Sequence, residues 1–205
     1  MNTPSNSSAP MQGSPQAMHF LLAVDGSEPS TRAAQWLATL AQTQLALRCT
    51  ALYVQHHLMA GEVSALAPAY ITLDQREQEA ALALTQISTL LESAGVVHTT
   101  QTCTGDAVET LLSHAQSLGA DALVVGRRGH GALRAALLGS VSSKVVQGAQ
   151  VPVIVVGENT PVAAPAGQEG DRPLKVLLAL DGFPNALRAA DFATTGPAHA
   201  GGGHA

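Results

Sequence analysis

Apolar residues fall in short runs, and these runs alternate with segments where apolar residues recur every three to four positions. The first run, 19–24 (HFLLAV), ends in Asp25-Gly26-Ser27 and reads as a buried strand entering a turn. Ser30 is placed to cap a helix over 31–44, with Ala33, Ala34, Leu37, Leu40 and Ala41 on one face. Residues 47–54 predict a second strand, 56–68 a loop, and 72–93 a long helix stopped by Gly95. Residues 96–103 alternate as a third strand. Gly105-Asp106 opens a helix whose Val108, Leu111, Leu112 and Ala115 share a buried face, and Gly119 closes it. The apolar stretch 121–126 (DALVVG) is a fourth strand, 127–139 a glycine-punctuated loop, 140–149 a short helix, and 151–157 (VPVIVVG) a fifth strand.

Near-continuous Val/Leu/Ile runs are what a parallel sheet covered on both faces requires. Five such strands, each followed by a helix, predict an α/β domain: a doubly wound five-stranded parallel sheet with helices on both faces.

A repeat follows. Residues 174–192 (LKVLLALDGFPNALRAADF) align without gaps to 18–36 (MHFLLAVDGSEPSTRAAQW) at an offset of 156, with eight identities in 19 positions. Generic amphipathicity does not place Asp181-Gly182 on Asp25-Gly26 and Arg188 on Arg32 together. The chain therefore divides into a Ser/Pro-rich, disordered leader (1–17), a complete domain (18–157), a Pro/Ala/Gly linker (158–173), the start of a second copy (174–192) and a low-complexity tail (193–205). With one strand and one short helix, that second copy lacks the elements to cover its apolar face alone.

Composition narrows the partners. Of 205 residues 46% are hydrophobic and 12% charged, which excludes wholesale disorder. Aromatic residues are 3%, so the core is aliphatic and base-stacking platforms are absent from the pattern. A net charge of −5 leaves no basic surplus for a nucleic-acid backbone. No apolar run reaches the roughly 20 residues of a membrane span, and the N-terminus has no secretory pattern. Cys49 and Cys103 sit in apolar runs and read as buried free thiols of a reducing, cytoplasmic compartment.

The candidate chemistry lies after the fourth strand. Gly126, Gly129, Gly139 and Ser140 form a G-x2-G-x9-G-S pattern that ends at a helix start. The N–H groups of Gly139, Ser140 and Val141 there favour an anion, and the hydroxyls of Ser140 and Ser142 add hydrogen-bonding capacity. Arg127, Arg128, His130 and Arg134 bring positive charge to the loop. Asp25, ending the first strand, falls at the crevice where doubly wound sheets bind ligands, although Asp-Gly is also an ordinary strand-ending turn. His56-His57 has no carboxylate or thiol at ligand spacing, so no metal ligand is assigned.

These features resemble the universal stress protein family: the VDGS turn at 24–27, the glycine loop at 126–140, the SVSSKVV helix at 140–146 and the PVIVV strand at 152–156. The resemblance covers 18–157, and 174–192 resembles the opening of a second such domain, as in tandem members. It implies a Rossmann-like, adenine nucleotide alpha hydrolase-like sheet of order 3-2-1-4-5. It also implies a site for ATP, with or without Mg2+, in members that keep the glycine motif. Carried over, Asp25 meets the ribose and the backbone of Val54 the adenine, while Gly126, Gly129, Gly139, Ser140, Val141 and Ser142 hold ribose and phosphates. Arg127-Arg128 departs from the small polar or single basic residues usual at that place, so Arg127 either strengthens phosphate binding or is solvated.

Three functions compete: an ATP-binding stress-response or regulatory protein, a dimerising scaffold that binds nothing, and an enzyme. No G-x4-G-K-[ST] loop or carboxylate cluster for Mg2+ accompanies the motif, so no catalytic residue is assigned and at most slow hydrolysis or autophosphorylation is expected. Tandem members pair two domains through their last strands. The apolar strand bounded by Val151 and Val156 is thus expected to pair with its counterpart in a homodimer, unless 174–180 covers it.

Overall fold

Side-chain alternation along each strand decides the layout. The computed structural model describes residues 17–43, 45–56, 73–127, 140–160, 162 and 184–195. The elements are β1 (Met18–Val24), α1 (Glu28–Ala41), β2 (Leu47–Gln55), α2 (Leu73–Ser93), β3 (Val97–Thr104), α3 (Ala107–Ser117), β4 (Ala122–Gly126), α4 (Ser140–Gly148), β5 (Val153–Val156) and α5 (Pro184–Thr195). The strands form one parallel sheet in the order β3-β2-β1-β4-β5. The fold is therefore the five-stranded 3-2-1-4-5 arrangement, in which the order reverses between β1 and β4.

Phe20, Leu22 and Val24 of β1 face one side, with Cys49, Ala51, Val124 and Val156 of the neighbouring strands. That side is covered by Ala33, Ala34 and Leu37 of α1 and by Ala83, Leu84, Ile87 and Leu91 of α2. Leu21, Leu52, Leu123 and Val125 face the other side, against Leu111 and Ala115 of α3 and Val145 of α4. Each fully buried Leu, Phe or Val contributes about 1.5–3 kcal/mol relative to exposure, so both layers are needed to hold the sheet. β3 and β5 lie at the two edges. Most of β3 is exposed and Thr-rich, whereas β5 is short, apolar and half-buried.

Four local expectations are revised. The first helix is capped by Ser27 rather than Ser30, and begins at Glu28. The cause is Pro29: its fixed φ suits the first helical turn, and the Ser27 hydroxyl accepts the Ser30 N–H at 3.4 Å. Ser30 instead donates its own hydroxyl to the Ser27 carbonyl at 2.9 Å. The last strand is confined to Val153–Val156, because Pro152 has no N–H for the ladder. Cys49 is buried, but Cys103 is only half-buried, since it lies on the edge strand. Lastly, α5 runs to Thr195, beyond 192, and its Phe192 packs against the α1/α2-side core. The leader, the 57–68 loop, most of the glycine loop (128–139) and the 174–180 strand lie outside the described residues.

Candidate functional site

β1 delivers the chain to the carboxyl edge of the sheet, where it must turn sharply to enter α1. Gly26 makes the turn with φ at +74°, a conformation costly for any residue with a Cβ. Asp25 holds the turn: its Oδ1 accepts the Ser27 N–H at 3.0 Å and the Ser27 hydroxyl. The carboxylate is nevertheless exposed to solvent. Near it on β2, Tyr53 feels burial and the charges of Glu79 and Asp25, which push its phenol upward against the opposing pull of Arg76.

A cavity of about 170 Å3 opens at the switch point. Its walls come from the end of β1 (Ala23, Val24, Asp25), the start of α1 (Ser27, Pro29, Ser30), β2 (Leu52, Val54), α3 (Ala107, Leu111), β4 (Val125, Gly126) and α4 (Ser140, Val141, Ser142). The cavity thus gathers Asp25, Val54, Gly126, Ser140, Val141 and Ser142 from elements far apart in sequence. Arg127 is outside this lining; its N–H extends the β4–β5 ladder by donating to the Val156 carbonyl at 2.8 Å. Gly129 and Gly139 lie outside the described residues.

Three helix N-termini face this space: those of α1, α3 and α4. Each presents the positive end of a helix dipole, so the cavity attracts an anion. Asp106 partly offsets this as the cap of α3. Its Oδ1 accepts the N–H groups of Glu109 at 3.0 Å and Val108 at 2.9 Å. Those bonds, Glu109 first, hold its carboxyl below the ordinary range, with help from the nearby charges of Lys144 and His56. Across the rim, Arg76 of α2 donates to the His56 carbonyl at 3.2 Å, and Gln55 donates to the Arg76 carbonyl at 3.2 Å. These two bonds tie α2 to the end of β2.

Two of the motif residues serve the scaffold. A Cβ on Gly126 would stand 2.3 Å from the Pro29 carbonyl oxygen and 2.4 Å from its carbon. The first turn of α1 therefore rests directly on the end of β4, and only glycine permits that approach. The buried Ser142 hydroxyl donates to the Gly126 carbonyl at 3.0 Å, latching α4 to the same strand end. Its proton is committed there. Ser140 and Val141, by contrast, are exposed at the cavity. The sequence reading missed Ala107 and Leu111 as cavity walls, because an apolar helical position reads as core whether or not a cavity adjoins it.

Among the described residues no group of three or more His, Cys, Asp or Glu side chains is placed to hold a metal ion. Nor is any helix among them long and apolar enough to cross a membrane.

The sheet order, the switch-point cavity and its three helix N-termini define a doubly wound α/β protein. Residues 17–157 match the universal stress protein family, and the chain belongs to that family. It is 31% identical over 172 residues to a universal stress protein of Mycolicibacterium smegmatis, covering 80% of this chain. The chain spans about half (54%) of that relative's length. Universal stress protein YxiE of Bacillus subtilis is 29% identical over 144 residues, covering 67% of this chain and 97% of its own. Among solved structures, protein MJ0577 superposes with a TM-score of 0.57 at 24% identity, over 70% of this chain and 97% of that one. A universal stress protein in complex with cAMP gives 0.53 at 21% identity, over 68% and 96%. An Arabidopsis thaliana family member with AMP bound gives 0.52 at 20%, over 70% and 93%. At these identities the structures establish the common fold.

Proposed function

We propose that this universal stress protein binds an adenine nucleotide, ATP, at the switch-point cavity and acts as a stress-response or regulatory protein. The observation that carries this reading is the convergence of Asp25, Val54, Ser140 and Val141 on one cavity faced by three helix N-termini. Relatives of the same fold have been seen with AMP and with cAMP. The cavity is smaller than the about 300–1,000 Å3 of ordinary small-molecule sites, so part of the nucleotide would lie beyond the described walls. Asp25 supplies an exposed acceptor for the ribose and the Val54 backbone meets the adenine. Gly126, Gly129, Gly139, Ser140, Val141 and Ser142 surround ribose and phosphates, with Arg127 at the edge. Any Mg2+ would be held chiefly by the phosphates, since no carboxylate cluster is found among the described residues. Calorimetry with ATP on wild type and Ala107→Phe tests the reading. The new ring would project into the cavity from α3, away from the glycine loop. Micromolar binding that the variant loses is expected; equal binding by both proteins, or none by wild type, rejects the site.

The same reading extends to assembly and organisation. β5 pairs only with β4 among the described residues, leaving an apolar edge that a second copy can extend across a two-fold axis. We therefore assign the chain to a homodimer through 151–156, in a cytoplasmic setting that keeps both thiols free. Residues 174–192 are read as the opening of a second domain, consistent with a Mycolicibacterium match longer than the family domain. Light scattering on the chain cut after residue 160 distinguishes the edges. A dimer before and after the cut supports pairing through β5; a monomer that dimerises only once cut shows that 174–192 had covered it.

A further inference from the structure

Cys103 and His114 form a pair outside the cavity. Cys103 ends the inner face of β3, and its Sγ lies 3.3 Å from Nε2 of His114 on α3. The other ring nitrogen, Nδ1, is 2.8 Å from the Thr110 carbonyl. A carbonyl can only accept, so the imidazole proton sits on Nδ1 and the Nε2 lone pair points at sulfur. That is the arrangement of a nucleophile, a base and a group that orients the base. It differs from the second cysteine in every respect. Cys49 is sealed in the opposite layer, and burial pushes its thiol up to about 12. Cys103 is half-buried, on an edge strand that reagents can reach.

The pair also adjoins the cavity. Cys103 is in register with Val54, so its backbone lies one strand spacing, about 4.8 Å, from a strand that lines the cavity. On α3, His114 follows the cavity-lining Leu111 by three residues, which places both on the sheet-facing side. Ser88 Oγ and His98 Nε2 also lie 2.7 Å apart, joining α2 to β3, but a serine hydroxyl is not a thiol that peroxide can oxidise.

We propose that Cys103 is a modification site: a thiol oxidised by hydroperoxides, with His114 as its proton acceptor. As sulfur attacks the terminal peroxide oxygen, its proton passes to Nε2. The S–O bond forms, the O–O bond breaks, and the departing alkoxide or hydroxide takes the proton from the imidazole. Sulfur is oxidised by two electrons to a sulfenic acid, and the peroxide is reduced to an alcohol or water. Cys49 cannot resolve the product as a disulfide, because it faces the other side of the sheet and lies about five residues further down its strand. The sulfenic acid therefore persists until an external thiol reduces it. None of this depends on nucleotide binding.

The test uses the whole chain, hydrogen peroxide and dimedone trapping, read by peptide mass spectrometry at both cysteines. Native Cys103 is expected to react about 10-fold faster at pH 7 than the same cysteine in the urea-unfolded chain, while native Cys49 stays unreacted. His114→Gln is expected to slow Cys103 about 10-fold or more at pH 7. That is less than the roughly 10²–10⁴ of base catalysis on a bound substrate, since peroxide is not held. At pH 10, where hydroxide ionises thiols without help, the two proteins should react alike; a deficit persisting there would mean that the variant only closed access to sulfur. Native Cys103 reacting more slowly than the unfolded chain, or His114→Gln reacting at the wild-type rate, overturns the proposal. The wild-type comparison stands even if the variant does not fold.

Discussion

Gly126→Ala separates two reasons for a glycine at the head of the G-x2-G-x9-G-S pattern. If the glycine were there only to let a phosphate approach, the nucleotide-free protein should tolerate alanine. The geometry says otherwise. The added methyl would meet the Pro29 oxygen at 2.3 Å, its carbon at 2.4 Å and its Cβ at 2.8 Å. Two of these are backbone atoms in the first turn of α1, and they cannot rotate away. Overpacking of this kind costs about 1–3 kcal/mol. With backbone on the receiving side, the upper end, about 3 kcal/mol, applies. For a domain of this size each kcal/mol lowers Tm by about 2–4 °C, so Gly126→Ala should melt roughly 6–12 °C lower. Circular dichroism melts without nucleotide measure it directly. A Tm within about 2 °C of wild type would refute the packing argument and return the glycine to the ligand alone. One corollary concerns interpretation: loss of nucleotide binding in Gly126→Ala would not by itself show contact between this residue and a phosphate.

Ser142→Ala should destabilise the protein by about 1–3 kcal/mol in urea unfolding, because it leaves the Gly126 carbonyl without its donor; an unchanged midpoint would mean that the latch contributes nothing. His19 is buried beneath α3 with Nε2 2.9 Å from the Thr50 hydroxyl, and burial, then Arg48, lowers its pKa below 6.5. The unfolded chain thus binds its proton more readily, so stability should be complete above about pH 6.5 and fall as pH drops through the folded value. His19→Gln should flatten that fall between pH 7 and 5, and an equal fall in both proteins would remove His19 as its source. ATP turnover should stay below the about 1 s⁻¹ at which ordinary enzymes begin, since no metal-binding cluster of His, Cys, Asp or Glu appears among the described residues; faster turnover by rigorously purified protein would reveal a missed catalytic group.

What could be read from the sequence follows from which physical signals are local. Strands β1, β4 and β5 announce themselves as apolar runs because both of their faces are covered. Their elements, order of appearance and turn at Asp25-Gly26 follow directly. β3 is readable from its alternation rather than from an apolar run, since its edge position leaves it Thr-rich and mostly exposed. Helix starts were misread by one turn where Ser27 and Ser30 compete as caps, and Pro29 was the local signal that decides between them. The double duty of Gly126 and Ser142 was not legible at all. Nothing along the chain reveals that Pro29, 97 positions earlier, rests on Gly126. The Cys103–His114 pair was hidden likewise, because a strand residue and a helix residue 11 apart meet only once α3 packs on the sheet.

This division of labour bears on how the motif should be read in any chain that carries it. Gly126 and Ser142 stabilise the junction of β4, α1 and α4, whatever the cavity contains. Selection for folding alone would retain them. Ser140 and Val141 are exposed at the cavity, so these two residues answer to ligand more than to fold. A relative that keeps the Gly126 and Ser142 equivalents but replaces those at 140 and 141 with bulky side chains would hold the same sheet with a closed site. The diagnostic weight for nucleotide therefore rests on the exposed first turn of α4, at the positive end of its dipole, and not on the glycine with which the pattern begins.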